Sequence, residues 1–152
     1  MPNQQVLAGF YFSLAFVGQV GDMDAAFQEA SGFSKELNVE EVVCGGQNRY
    51  KYRLPTTTTY QNLVLKRGVT LETSLLIDWC RYTLSTGLVL PIMTKNILIS
   101  LLNKEGQSCK SWLFVDAYPV KWSVSELNSE KNAVLIETIE LAYLYFEEIP
   151  FI

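Results

Sequence analysis

The 152-residue chain contains no histidine. That absence excludes a Ser-His-Asp triad, a Cys-His dyad and any imidazole ligand for zinc or haem. Cysteine is scarce as well. Cys44, Cys80 and Cys109 are odd in number, far apart and form no C-x-x-C pair, which argues against a metal knuckle or a disulfide framework and fits reduced thiols in a cytoplasm. Charged residues make up only 18% of the chain, where about 25% is usual. No basic residue precedes the apolar run that begins at Val6, so a secretory leader would lack its charged start. The run from Val6 to Val17 is broken by Gly9 and Ser13 and is shorter than the roughly 20 residues of a membrane helix.

What the chain has in quantity is apolar side chains, 49% of its residues. Disorder is excluded at that level, and a length sufficient for one core predicts a single soluble domain over 1–152 with apolar surface left for neighbours to cover. The apolar residues mostly recur with period two. Phe10, Phe12, Leu14 and Phe16 alternate with Tyr11, Ser13 and Ala15, as in a half-buried strand. Similar patterns predict strands over Asn62–Arg67, Asn96–Leu102 and Cys109–Tyr118, one long run from Ala133 to Phe146, and weaker strands at Ala25–Ser31 and Glu36–Cys44. One segment reads as an amphipathic helix, with Leu71, Leu75, Trp79 and Tyr82 inward, Ser74, Asp78, Arg81 and Ser85 outward, Thr70 and Glu72 in its first turn and Gly87 at its end. Loops are expected at Gly18–Asp24, Gly45–Thr59, Asn103–Gln107 with Gly106 as the turn residue, and Ser123–Asn132. The fold class is mainly β: an antiparallel sandwich or barrel with one flanking helix.

Charge is segregated along the chain. Residues 1–41 carry one Lys and six acids, residues 42–71 carry Arg49, Lys51, Arg53, Lys66 and Arg67 with no acid, and residues 132–152 carry four Glu and no base. The stretch Arg49-Tyr50-Lys51-Tyr52-Arg53 interleaves cations with aromatics, which suits phosphates and stacked bases, or a contact with an acidic neighbour, or a solvated hairpin arm. The acidic whole chain, net −4, argues against general nucleic-acid affinity. Gly45-Gly46 is followed by no phosphate-loop pattern and reads as a tight turn. Cys80 beside Asp78, with no imidazole partner, reads as a small buried side chain. Glu137 and Glu140 fall on opposite faces of their strand, so they form no hydrolytic pair; one is expected to face water and the other a neighbour or a lumen.

Taken in order, an opening strand leads to Phe27-Gln28-Glu29-Ala30-Ser31-Gly32-Phe33, Glu40-Glu41-Val42-Val43 with Gly45-Gly46, Leu54-Pro55, and Asn62-Leu63-Val64-Leu65-Lys66-Arg67-Gly68. A helix with Trp79, the block Trp112 to Trp122 and Ile136-Glu137-Thr138-Ile139-Glu140-Leu141 follow. This ordered set, over residues 6 to 145, resembles the T4-like phage tail tube family, including inner tube proteins of contractile injection particles. The resemblance implies a structural subunit with no reaction to catalyse and no cofactor, assembled as six-subunit rings that stack into a hollow tube inside a sheath. Its implied partners are further copies of itself, adjacent rings, sheath and baseplate or spike proteins, and cargo in the lumen; membrane and specific nucleic-acid binding are not implied. Assembly in a bacterial cytoplasm, as part of a phage tail or a released particle, is the implied location. By position, the segment 44–60 matches the long loop that carries contacts between subunits and rings, which nominates Arg49, Tyr50, Lys51, Tyr52, Arg53, Leu54 and Pro55. The acidic, aromatic ending Tyr143–Ile152 departs from the short endings of common tube subunits and favours a ring where tube meets baseplate.

Two physical arguments agree with the resemblance. A closed ring pairs strand edges that a lone sandwich must protect, and a head-to-tail contact needs complementary charge on opposite sides of one subunit. The alternative from another class is a β-barrel carrier of a small apolar ligand. An enzyme working through carboxylate or Lys chemistry has no site nominated by the spacing.

Overall fold

The computed structural model describes residues 10–19, 24–43, 45–46, 51–69, 74–87, 89–125 and 135–150. Their elements run β1 (Tyr11–Phe16), β2 (Asp24–Phe27), β3 (Glu29–Ser31), β4 (Lys35–Val42), β5 (Tyr52–Tyr60), β6 (Leu63–Gly68), α1 (Leu75–Thr86), β7 (Lys95–Leu102), β8 (Ser108–Val124), β9 (Ile136–Ala142) and β10 (Tyr145–Ile149). Gly32–Gln61, which contains β4 and β5, forms one compact unit, and the remaining elements form the other.

In the larger unit every strand pair is antiparallel, in the order β2-β1-β7-β8-β9-β6-β3, with β10 also on β8. The path starts at β2 and ends at β3, which Gln28 alone separates in the chain; its N–H donates to the Lys66 carbonyl at 2.9 Å. The expected strand Ala25–Ser31 is therefore two strands, one at each end of a sheet that curls on itself. Alternation decides which side chains fill it: Leu14, Leu63, Leu65, Ile97, Ile99, Phe114, Ile139 and Leu141 are fully buried.

β8 is the corner strand. Its first half pairs with β7 and β10, its second half with β9. The change of partner coincides with Asp116, at φ 52°, whose N–H donates to Asn96 Oδ1 at 3.0 Å. Opposite this point the run predicted as one strand to Phe146 breaks at Tyr143-Leu144, because a single partner strand cannot follow β8 around the bend; its predicted start, Ala133, lies outside the described residues. Pro119, buried in β8, sits next to a register shift before Lys121, the irregularity that lets a strand interior accept a residue without an N–H. At the β7–β8 turn the Asn103 carboxamide accepts from the N–H of Glu105 and of Gln107, and Gly106 supplies φ 79°, as the sequence predicts for this loop.

The helix forms where expected with a different inward face. Ser74 is its N-cap, accepting from the Ile77 N–H at 3.2 Å, and is not a surface position of the helix body. Leu76, Ile77, Trp79, Cys80 and Thr83 are buried, whereas Leu75 and Tyr82 are 48% and 43% exposed. Two apolar stripes overlap in this sequence, and packing selects the one containing the Leu76-Ile77 and Trp79-Cys80 pairs. Trp79 meets Phe16 edge-on at 5.5 Å and donates its indole N–H to the Met93 carbonyl at 2.9 Å. Thr70, Leu71 and Glu72 lie outside the described residues.

Among the buried side chains sits an ion network. Arg67 on β6, 5% exposed, donates from Nη1 to Asp24 on β2 at 3.0 Å and from Nε to Glu137 on β9 at 3.1 Å. Its guanidinium carbon lies 4.7 Å from the Phe27 ring centroid, and Trp122 on β8 donates to the other Glu137 oxygen at 2.7 Å. Glu137 thus faces neither water, nor a neighbour, nor a lumen. It shares inward parity with Ile139 and Leu141, and burial is tolerable because a cation and an indole N–H occupy its oxygens. One donor, Arg67 Nη2, is buried without a hydrogen-bond partner among the described residues.

Replacing Arg67 with Ala leaves two buried carboxylates without their cation and is expected to cost about 3–5 kcal/mol in urea unfolding. Cys80 offers a second test. Burial pushes its thiol up to about 12, Glu137 and Asp24 adding to the shift and Arg67 opposing it. The folded protein therefore keeps a proton that the unfolded chain releases above pH about 9, so stability falls as pH rises through that window, by at most about 1.4 kcal/mol per pH unit. The slope is expected to flatten in Cys80→Ala; an equal slope in that variant would assign the loss to other groups.

Candidate assembly surface

The segment 45–59, expected as a loop, is mostly strand from Tyr52 onward, where β5 begins. Gly45 and Gly46 do form a turn, with Gly46 at φ 88°. From Tyr52 to Tyr60 the chain pairs with β4, in register Lys35 with Tyr60, Val39 with Pro55, Glu41 with Arg53 and Val42 with Tyr52. The pairing slips by a residue near Asn38, and side chains secure the irregular stretch: Thr56 Oγ1 donates to the Asn38 carbonyl at 3.1 Å and Asn38 Nδ2 to Thr57 Oγ1 at 3.2 Å. Threonine is the residue for this place, since it combines a β-branched body with a donor.

Both faces of this hairpin are open. Nearly every residue of β4 and β5 is exposed, including Leu37, Val39, Val42, Tyr52 and Leu54. A two-stranded hairpin is marginal alone in water, and burial of one face is the usual remedy. Here neither face is buried, and Leu37, Val39, Val42 and Leu54 remain between 39% and 57% exposed.

Of the nominated residues, Lys51, Tyr52, Arg53, Leu54 and Pro55 stand on or beside β5, and Arg49 and Tyr50 lie outside the described residues, as does Cys44. They do not converge on one point. Arg53 and Pro55 share a face with Val39 and Glu41, while Tyr52 and Leu54 share the other with Val42 and Glu40. Lys51 pairs with Glu41 at 3.7 Å.

Among the described residues of 42–71, three of the four cations meet a carboxylate within the chain. Lys66 pairs with Glu29 at 3.9 Å, Lys51 with Glu41, and Arg67 belongs to the buried network. What remains on the hairpin is Arg53, which among the described residues has no counterion, together with Glu36 and Glu40. Sequence reasoning missed Arg67 and Glu137 as a pair, although Leu63-x-Leu65-x-Arg67 and Glu137-x-Ile139-x-Leu141 place each charge in the inward register of its strand.

Comparison with known proteins bears on the whole chain. The family model described as T4-like virus tail tube protein gp19 matches residues 8–147. A chain in the cryo-EM structure of the anti-feeding prophage baseplate, 6-fold symmetrised, is 29% identical with a TM-score of 0.75, over 98% of this chain and 97% of that one. A chain of an extracellular contractile injection system, the PVC sheath-tube complex in its extended state, is 20% identical with a TM-score of 0.76, over 99% of this chain and 95% of that one. Hcp1 from Flavobacterium johnsoniae shares the fold at 18% identity and a TM-score of 0.56, over 91% of this chain and 94% of its own. Among curated proteins no relative matches.

Proposed function

The chain belongs to the T4-like virus tail tube protein family, and from that membership we propose that it builds the hollow inner tube of a contractile tail or tail-like injection particle as six-copy rings. Membership supplies the class of role, that of a structural tube subunit. The observation that carries the mode of assembly is the hairpin whose two faces are both exposed. A surface of that kind fits contact with other subunits, and repetition around a ring and along a tube provides it for every copy. The nominated residues act in this reading as contact residues, with no reaction and no cofactor. The family's structural character supports the absence of catalysis.

Within the tube we place the chain near the baseplate. At near-complete coverage it is 29% identical to a chain from a baseplate structure and 20% identical to one from a sheath-tube complex. In this position its partners are further copies of itself, the first tube ring and baseplate or spike components, with sheath outside and cargo passing through the lumen.

Negative-stain microscopy of the purified protein at high concentration, alone and mixed with baseplate proteins of the same particle, tests the reading. Rings of one copy type with six-fold symmetry are the expected result. Monodisperse monomers under both conditions would sink it.

A further inference from the structure

The two ends of the curled sheet meet where no ladder joins β2 to β6 among the described residues. Three kinds of contact cross between β6 and the segment Asp24–Ser31. β3 gives a ladder of only three residues, Glu29 to Ser31 against Lys66 to Val64. Before it in the chain comes one backbone bond, from the Gln28 N–H to the Lys66 carbonyl at 2.9 Å. Before that comes one ion pair, Arg67 Nη1 to Asp24 Oδ1 at 3.0 Å, with the Phe27 ring against the guanidinium.

The two carboxylates on Arg67 are therefore not equivalent. Glu137 stands directly opposite Arg67 on β9, inside a ladder that registers every residue from Leu63 to Gly68, and Trp122 bonds its other oxygen. Asp24 belongs to a strand with which β6 shares no ladder. Its hold on Arg67 is one hydrogen bond, because Nε is engaged by Glu137 and Nη2 has no partner among the described residues. Asp24 and Arg67 are both buried, so water screens the pair little. On its other side β2 offers β1 only four residues, with a register shift between Phe12 and Leu14.

We propose that the subunit opens locally along the seam between β6 and Asp24–Ser31, and that the Asp24–Arg67 pair is the clasp that keeps this seam closed, while Arg67–Glu137 serves the β6–β9 register. Elements with short ladders open at free energies below that of global unfolding, and a three-residue strand is such an element. Loss of the Asp24 charge leaves Arg67 paired with Glu137 inside an intact ladder, so the cost falls on the seam and not on the core. The chain enters the unit Gly32–Gln61 from β3 and returns from it into β6. The clasp thus holds together the two strands at the root of the hairpin, which pair with each other only through β3.

Amide hydrogen exchange of the full chain, resolved by peptide, tests it with two isosteric variants. Asp24→Asn is expected to speed exchange of Gln28–Ser31 about tenfold and to leave β7 and β8 unchanged, whereas Glu137→Gln is expected to loosen Gln28–Ser31 no more than the rest of the sheet. A cross-strand disulfide added to Asp24→Asn, from Glu29→Cys with Lys66→Cys at a registered pair whose side chains already meet at 3.9 Å, is expected to restore protection of Gln28–Ser31. Unchanged or uniformly faster exchange in Asp24→Asn, the same selective loosening in Glu137→Gln, or a disulfide that restores nothing would each overturn the proposal. Where Asp24→Asn does not fold, the unaltered protein supplies the test: Gln28–Ser31 is expected to exchange with a smaller urea dependence than β7, and one shared dependence would overturn the proposal.

Discussion

Arg67 lies buried between Asp24 and Glu137, with Phe27 against its guanidinium and Trp122 bonded to the far oxygen of Glu137. Strands β2, β6, β8 and β9 are thereby tied to one cation. Because side chains alternate along a strand, a one-residue slip of β6 or β9 would carry Arg67 or Glu137 to the outer face and break the network. The interaction therefore fixes register where hydrophobic packing alone is forgiving, at the join between the two ends of the curled sheet. Burial raises the Cys80 thiol on α1, and the same charges act on it, Glu137 and Asp24 raising it further and Arg67 lowering it.

The hairpin of β4 and β5 is built on the opposite principle. It has ladder hydrogen bonds, threonine and asparagine bonds across its irregularity, and a Lys51–Glu41 pair that is exposed on both sides. Exposed ion pairs contribute at most about 1 kcal/mol, and no face of the hairpin is removed from water. The larger unit thus has an apolar core of its own, whereas the hairpin keeps its apolar side chains exposed.

How legible was this in the sequence? Strands β1, β6, β7 and β9 could be read because one face of each is buried, which leaves a period-two signal in Leu63-x-Leu65 and Ile97-x-Ile99-x-Leu101. β5 could not, since Pro55 and Thr56–Thr59 carry no alternation when both faces are wet. The helix was legible as an element, but its phase was not, because adjacent apolar residues allow two stripes. Segment charge sums misled where cations met their partners across strands: Lys66 finds Glu29 and Arg67 finds Asp24 at distances along the chain that no local count includes. Of the nominated contact residues, Arg53 stands out only once Lys51 is seen to occupy Glu41.

The central claim is that the hairpin is completed by other copies. Amide hydrogen exchange, resolved by peptide and compared between the free subunit and the assembled ring, tests this most directly. The account predicts that β4 and β5 exchange rapidly in the free subunit and slow by about two orders of magnitude or more on assembly, while β7 and β9 are slow in both states. Equal exchange of the hairpin in the two states would contradict it.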